Sequence, residues 1–305
     1  PFSAGEAQAA WQALRVVRDL PVETAVNAAY QGLTAGTFAL MQANTFWARF
    51  WPALAGASLA LIPLFWRRRL SPFLTLGLAL ALALDPVLFI LSRQADSVIF
   101  VLAGLVWALS FFIAGKLVGV GVALAVALLG GPWAWAVLLL LLIALGIAYF
   151  INKAALKEFA SSLLNICPLR KSPAKFALSF VLTLLLLSTS FGLDPAGISG
   201  IAGGLSAFLQ EGFSTSQFPA WTPIYRWAAY SMCPIILSVI ATVHAWMDGI
   251  KAKRALSLLT MVLLLGAVLF ANLGTSGLAF VQLPIWVLAL SEIERLVKSA
   301  SDQPR

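Results

Sequence analysis

The densest group of reactive side chains is the run SRQAD at residues 92–96, which lies between two apolar stretches. Its arginine, Arg93, can form two parallel hydrogen bonds to phosphate oxygens. Its aspartate, Asp96, can take a proton when it is partly desolvated. The run therefore predicts either a phosphate-handling site at a membrane surface or an ordinary interfacial Arg–Asp pair, and both interpretations stay open.

Two further carboxylates, Asp85 and Glu6, are candidates for either a functional or a structural role. Asp85 lies inside an apolar stretch, eight residues before Arg93, and a carboxylate in that position is costly enough to be a functional hypothesis. Because Pro86 follows it, Asp85 can instead satisfy a helix break or pair with Arg93. Glu6 opens a helix-like segment, where a negative charge also suits the helix dipole.

Composition identifies the environment of these residues. The 305-residue chain is 61% hydrophobic and 10% charged, with a mean hydropathy of +0.94. A soluble domain is about 25% charged, so a soluble enzyme is excluded. Two cysteines exclude a disulfide framework or a zinc cluster. One histidine and four methionines offer few ligands, and we expect no cofactor and no divalent metal.

Nine apolar stretches approach the length of about 20 residues that a helix needs to cross a bilayer. All should be helices, because an open sheet edge cannot be satisfied in hydrocarbon. The predicted fold is an all-α polytopic membrane protein with an external segment at 1–49 and a transmembrane domain at 50–305. The predicted spans are 50–66, 73–91, 97–115, 117–131, 133–151, 176–191, 227–247, 256–271 and 278–296.

The basic residues set the orientation of these spans. Fifteen of the 20 Lys and Arg residues fall on one side, which includes loop 152–175 and the C-terminus. Cytoplasmic loops are enriched in Lys and Arg, so this side is the cytoplasm and the chain is placed in the inner membrane. Segment 1–49 and loop 192–226 then lie outside. Most of the basic residues behind the net charge of +8 are thus assigned to cytoplasmic loops. A nucleic-acid partner is not needed to explain them, and we expect none.

Three weakly apolar, helix-like stretches on the outer side are not apolar enough to span. Residues 6–18 place Ala10, Leu14 and Val17 on one stripe with a spacing of three to four. The other two stretches are 23–42 and 198–213. Helices of this kind lie in the plane of the membrane interface.

A serine and a histidine raise the alternative of an intramembrane protease. Ser199 stands in GISG at 197–200, and the single histidine, His244, follows 45 positions later, roughly as in rhomboids. The dyad needs a hydrogen bond between the two side chains. The charge-derived topology places Ser199 outside and His244 about 25 Å below the outer face, at 1.5 Å per residue. The topology therefore argues against the protease.

The order of motifs in the first third of the chain resembles the GT-C membrane glycosyltransferases. ARFWPALAGASLALIPLFWRRRL at 48–70, LALALALDPVLFILSRQAD at 78–96 and the stretch 30–56 are similar to the protein O-mannosyltransferase and aminoarabinose-transferase branch. The resemblance covers about residues 2–115 and is topological beyond them. In that family a transmembrane helix precedes an acidic external loop, so we expect a tenth helix upstream of Pro1.

This resemblance implies an inverting transfer of a sugar from a polyprenyl-phosphate donor to an acceptor on the outer face. Glu6 matches the second member of the family's acidic pair, Arg93 the arginine of its third-helix SR, and Asp96 the acid just beyond. Glu6, or failing that Asp96, is then expected to be the general base. Arg93 is expected to bind phosphate with Arg49 or Arg226 as a helper, although Arg49 can equally anchor a span at the interface.

Two departures from the family keep other functions open. Gly5 stands where the family has the Asp of its acidic pair, and the chain lacks the longer C-terminal half of many members. Both favour a non-catalytic scaffold subunit, whose partners would be other membrane subunits as well as lipids. A transporter would need midplane charges, and among these carboxylates Asp85 alone qualifies. A transferase needs Glu6 and Arg93 to converge on one external cleft, and a scaffold does not.

Overall fold

The computed structural model of the protein describes residues 3–21, 26–151, 172–214, 221–249 and 251–301. Most of the basic loop 152–175 lies outside these ranges. Within them every regular element is helical, in agreement with the predicted all-α class. The α-helices are α1 (Ala4–Val17), α2 (Ala28–Leu40), α3 (Thr45–Leu59), α4 (Ile62–Trp66), α5 (Pro72–Leu84), α6 (Pro86–Arg93), α7 (Val98–Ile113), α8 (Leu117–Leu128), α9 (Pro132–Ile151), α10 (Pro173–Ser188), α11 (Gly200–Gly212), α12 (Trp221–Met247), α13 (Lys251–Leu269) and α14 (Ala279–Ser301).

The lengths of these helices decide which of them can cross a membrane. Five stretches of the described chain are long and apolar enough, and the bent pair α5–α6 is a sixth if its halves form one span. Helices α7, α8 and α10 are apolar but have 16, 12 and 16 residues, short of the usual length of about 20. A helix lies at each of the nine predicted positions, but nine crossings are not confirmed. The five stretches are Thr45–Trp66, Pro132–Phe150, Trp227–Met247, Ala252–Leu269 and Ser276–Ser299.

The three predicted interfacial stretches also form helices, namely α1, α2 and α11. Helix α1 packs on α2, and the side chains between them are small: Ala13 and Ala35 are fully buried. Helix α11 packs against α9, where a Cβ at Gly204 would lie in ordinary contact with the Trp135 indole, 3.5 Å from its Nε1 atom. Helix α1 thus rests on α2, and α11 rests on the apolar helix α9.

The break between α5 and α6 follows from the pair Asp85–Pro86. Proline has no N–H and a fixed φ, which makes it a good first residue of a helix and a poor interior one. Asp85 is the N-cap of α6, and its Oδ1 accepts the N–H groups of Val87 and Leu88, each at 2.9 Å. The two helices meet at a bend of 51°.

The other carboxylate oxygen of Asp85 ties this break to two distant helices. Its Oδ2 accepts a hydrogen bond from Gln282 Nε2 at 2.6 Å and another from Trp286 Nε1 at 2.8 Å, both on α14. Gln282 also donates to Ser231 Oγ at 2.8 Å and accepts from Trp227 Nε1 at 2.9 Å, both on α12. Asp85 is 1% exposed. A carboxylate this deeply buried persists because all of its acceptor positions are filled.

Helix α12 bends where it meets this network. Ser231 has non-helical dihedrals inside the helix, with φ −125° and ψ 25°, and Pro234 follows three residues later. A proline inside a helix removes a backbone hydrogen bond and produces a kink.

Of the structural interpretations open for Asp85, the helix break is therefore correct, because its partners are on α6 and α14 and do not include Arg93.

The shorter apolar helices pack closely through small residues. Helices α7, α8 and α10 lie side by side. A Cβ at Gly104 would lie 2.7 Å from the carbonyl oxygen of Ala123, so glycine is required at this crossing of α7 and α8. Small residues at such crossings are typical of membrane helices, whose association depends on close van der Waals contact.

We expect Asp85→Ala to destabilise the protein strongly. It leaves two backbone N–H groups, the Gln282 amide and the Trp286 indole without their acceptor. Because an unpaired buried donor costs about 1–3 kcal/mol, we expect the free energy of unfolding to fall by about 3 kcal/mol or more. Denaturant titration of the purified protein in mixed micelles measures this change.

The control is Asp194→Ala. Asp194 is also a cap, but its Oδ1 accepts a single exposed bond from the N–H of Ala196 at 3.1 Å. We expect a loss of about 1 kcal/mol for this variant. Equal losses in the two variants would contradict an anchoring role for Asp85.

Candidate functional site

Helix α1 begins with a capping box that fixes the position of Glu6. The N–H of Glu6 donates to Ser3 Oγ at 3.3 Å, and the N–H of Ser3 donates to Glu6 Oε2 at 2.9 Å. Both bonds satisfy N–H groups that the first turn of a helix leaves without partners. The Glu6 side chain is thereby held at the start of α1, and the residue is 9% exposed.

Glu6 connects this helix end to two other segments. Its Oε1 accepts hydrogen bonds from Arg49 Nη2 at 2.9 Å and Nε at 3.1 Å, across 43 residues of chain. The same oxygen accepts the backbone N–H of Ala95 at 3.0 Å, across 89 residues. One carboxylate thus joins α1, α3 and the loop between α6 and α7.

Asp96 follows Ala95 in this loop and is half-buried. Its Oδ1 accepts the N–H of Ser97 at 2.6 Å, and the Ser97 hydroxyl donates to the carbonyl oxygen of Gly130 at 2.8 Å. This second bond attaches the loop to the turn between α8 and α9. Burial raises the pKa of Asp96 above its ordinary value, and the negative charge of Glu6 raises it further, against the opposing hydrogen bonds from Ser97.

The two carboxylates of the site have pKa values that shift in opposite directions. Burial raises the pKa of Glu6, but its hydrogen bonds with Ser3, Ala95 and Arg49 outweigh that effect and hold the pKa below its ordinary value. Glu6 is therefore ionised and is a weak proton acceptor. Two neighbouring acids with diverging pKa values are a pattern of acid–base sites, and here Asp96 is the better base.

Tyr30 belongs to the same site and was not predicted from the sequence. Its hydroxyl donates to the carbonyl oxygen of Ala48 at 3.0 Å, next to Arg49, and the residue is 1% exposed. Burial raises the pKa of Tyr30, and the charges of Glu6 and Asp96 contribute in the same direction. The phenol therefore stays protonated and links α2 to α3. In the sequence it looks like one more aromatic residue in an interfacial helix.

The predicted arginines take different positions. Arg49 is in the site, and its side chain is 36% exposed. Arg93 borders the site at the end of α6, where it is exposed and its guanidinium carbon lies 4.2 Å from the centre of the Phe89 ring. The predicted convergence of Glu6 with Arg93 does not take the form of a direct contact: Glu6 bonds to Arg49 and to the Ala95 N–H, and Arg93 packs on Phe89. Arg226 lies on α12, and its side chain is outside the described part of the structure.

The serine and histidine of the protease hypothesis have separate partners. Ser199 Oγ donates to the carbonyl oxygen of Ala196 at 2.8 Å. The Nδ1 atom of His244 lies 2.9 Å from Glu292 Oε1, and its Nε2 atom lies 3.1 Å from Arg295 Nη2. The two side chains do not form the hydrogen bond that a serine–histidine dyad requires.

Comparison with protein-family models, with curated proteins and with solved structures gave no match. Within the described ranges, no group of three or more His, Cys, Asp or Glu side chains is placed to hold a metal ion. The interpretation of the site therefore depends on the geometry of Glu6, Arg49, Asp96 and Tyr30 and on the bordering Arg93.

We expect the stabilisation that Glu6 provides to depend on pH. Because its pKa is lower in the folded state than its ordinary value of 4.5, its contribution is complete above that pH and is lost as the pH falls through the folded pKa. Glu6→Gln should cost about 1–3 kcal/mol at pH 7, and the difference from wild type should shrink below pH 4.5. Thermal unfolding in detergent between neutral and acidic pH measures both effects.

Glu211→Gln is the matched control, because Glu211 is exposed on α11. We expect this variant to unfold like wild type at every pH. A stability difference for Glu6→Gln that stays constant down to the lowest pH would show that the Glu6 charge does not hold α1 to α3.

Proposed function

We propose that the protein is a GT-C-like glycosyltransferase that moves a sugar from a polyprenyl-phosphate donor to an acceptor on the outer face of the membrane. The observation that carries this proposal is the meeting of Glu6, Arg49 and Asp96, which come from three segments far apart in the chain. Sugar transfer from a lipid phosphate needs a base and a fixed cation in one partly desolvated place. This arrangement offers both.

Asp96 is the general base in this proposal. A general base works best when its pKa lies near the working pH. The pKa of Asp96 is raised above the ordinary value for an aspartate, and so lies closer to neutral pH. The carboxylate takes the proton of the acceptor hydroxyl as the acceptor oxygen bonds to the anomeric carbon. The bond from that carbon to the phosphate oxygen breaks, and polyprenyl phosphate leaves with the electron pair. Attack on the face opposite the leaving group inverts the anomeric configuration.

The arginines supply the positive charge for the departing phosphate. Arg93 is exposed beside the loop, and Arg49 presents a partly exposed guanidinium that Glu6 orients. Fixed cations in such a place stabilise charge that develops on a leaving group. Glu6 is then a positioning residue, because it holds Arg49 and the Ala95 N–H in place. Arg226 stays a prediction as a third helper.

A scaffold subunit of a larger membrane complex is the second candidate. It is favoured by the internal bonding of Glu6, whose two oxygens already accept from Ser3, Arg49 and Ala95. Gly5 occupies the place of the family's other acid, and a Cβ there would meet nothing within 4 Å. An ion pair that only fastens α1 to α3 would have this geometry. The partners in this case are other membrane subunits and lipids.

The proposal includes a topology of nine spans in the inner membrane, with residues 1–49 outside and the C-terminus in the cytoplasm. The 15-to-5 division of Lys and Arg supports this orientation. Helices at all nine predicted positions support the number of spans, although α7, α8 and α10 would need flanking residues to complete a crossing. The site at Glu6 and Asp96 then faces the outside, where a lipid-linked donor meets an acceptor.

We expect the purified protein to release polyprenyl phosphate from at least one member of a panel of radiolabelled polyprenyl-phosphate sugars. Loss of a general base lowers turnover about 10²–10⁴-fold, so Asp96→Asn should fall in that range. Arg93→Ala should fall by about 10²-fold or more. In wild type the rate should drop as the pH falls through the raised pKa of Asp96, since the ionised form is the base.

Asp194→Asn and Arg18→Ala are controls, because both residues are outside the site on the same predicted side. We expect both to keep wild-type turnover. No turnover with any donor, in a preparation whose variants all fold normally, would favour the scaffold over the transferase.

The proposed topology predicts which residues an impermeant thiol reagent reaches in intact cells. In a background where both native cysteines are serine, a cysteine at Asp19 or Gln210 should be labelled from outside. A cysteine at Lys116 or Lys298 should be labelled only after the membrane is permeabilised. An odd number of predicted spans separates Gln210 from Lys298. Labelling of the cysteines introduced at these two positions from the same side would therefore contradict the topology.

A further inference from the structure

A groove opens where the bent pair α5–α6 meets the kinked helix α12 and helix α14. It has a volume of about 470 Å³, which falls within the range of about 300–1,000 Å³ for ligand pockets. Gly77 and Ala81 line it from α5, Cys233 and Pro234 from α12, and Trp286 from α14. Glu6, Arg49 and Asp96 are not among its lining residues.

The groove lies where two of the helices that line it bend, whereas α5 and α14 pack closely, since a Cβ at Gly77 would lie 3.1 Å from Leu290 Cδ2. The 51° bend at Asp85 turns α6 away from the line of α5. The non-helical Ser231 and the proline three residues later bend α12. Gly77 and Ala81 present small side chains on the α5 wall, and the larger Leu80 and Leu84 are exposed at its edge. The bonds from Asp85 to α14, and from Gln282 to Ser231, hold these bends in place.

The buried polar groups on the floor of the groove already have partners. Asp85 accepts two backbone and two side-chain hydrogen bonds. The Trp286 indole N–H donates to Asp85, and Ser231 accepts from Gln282. Each of these buried groups therefore already has at least one hydrogen-bond partner within the protein, and a polar ligand group that found no partner there would be penalised. The groove fits a hydrocarbon chain.

The mouth of the groove opens on a surface that faces lipid. Leu80, Leu84 and Tyr230 stand there with exposed fractions of 62%, 76% and 60%. The segments that carry them meet the length and hydropathy of membrane spans. Large apolar side chains this exposed on spanning helices are in contact with the hydrocarbon of the bilayer. An acyl chain can therefore enter the groove sideways, without leaving the membrane.

We propose that this groove binds one acyl chain of a membrane phospholipid. The chain supplies the van der Waals contacts that the bent helices cannot give one another. Because Asp85 is saturated and the other lining residues are uncharged, the groove selects the chain and not the charge of the headgroup. This proposal is independent of the transferase proposal, since the two sites share none of their residues.

Photo-crosslinking in reconstituted vesicles tests the proposal. The probe is a phosphatidylcholine with a diazirine in its acyl chain, and a phosphatidylglycerol with the same chain is the headgroup control. We expect both lipids to label peptides containing residues 77–86 and 230–234 more densely than the exposed lipid-facing stretch around Leu142 on α9. Equal labelling of all lipid-facing helices would overturn the proposal.

A pair of tryptophan variants tests the same groove by filling it. Ala81→Trp places an indole inside the groove, whereas Ala83→Trp places one on the exposed side of the same helix, outside the lining. Native mass spectrometry should detect one co-purifying phospholipid on wild type and on Ala83→Trp, and its loss from Ala81→Trp. Retention of the lipid by a folded Ala81→Trp would contradict the proposal. If Ala81→Trp does not fold, the crosslinking pattern of wild type still decides.

Discussion

The structure depends on the rule that a polar group in hydrocarbon must find its partner within the protein. Asp85 finds these partners on two helices. It accepts hydrogen bonds from N–H groups in the first turn of α6 and from the side chains of Gln282 and Trp286 on α14. These bonds determine much of the surrounding architecture. They hold the break between α5 and α6 in place, they fix α14 against α5 and α12, and they border the groove that no helix fills.

In the site around Glu6, the balance between burial and hydrogen bonding separates the pKa values of two carboxylates that lie close together. Glu6 is the more buried but receives donors from Ser3, Arg49 and Ala95, so its charge is well stabilised. Burial raises the pKa of Asp96 and the charge of Glu6 adds to that effect, while the hydrogen bonds from Ser97 oppose it only in part, so Asp96 holds its proton more strongly. The residue with more donors therefore positions the site, and the one with fewer keeps the proton affinity that a base needs.

The sequence predicts the local features of this protein and not its long-range partners. Hydropathy places a helix at each of the nine apolar stretches, and the capping box of Ser3 and Glu6, which was not predicted, is likewise a local feature that spans four residues. The contacts of Glu6 with Arg49 and Ala95 span 43 and 89 residues. They depend on how α1, α3 and the loop 94–97 pack, and one of the donors is a backbone N–H that no residue pattern reveals. Tyr30 was missed for the same reason.

The hydrogen-bond donors and the burial of each carboxylate also indicate which of them can exchange a proton. Glu292 is fully buried on α14, and its Oε1 lies 2.9 Å from His244 Nδ1 and 2.8 Å from Arg295 Nη2. Its Oε1 fastens α12 to α14, whereas its buried Oε2, unlike either oxygen of Asp85, has no hydrogen-bond partner among the described residues. Asp96 differs from both, because it lies on a loop at the surface, is half-buried and bonds to its neighbour in sequence. A proton can reach and leave it without breaking a contact between helices, which is the physical reason to look for catalysis there.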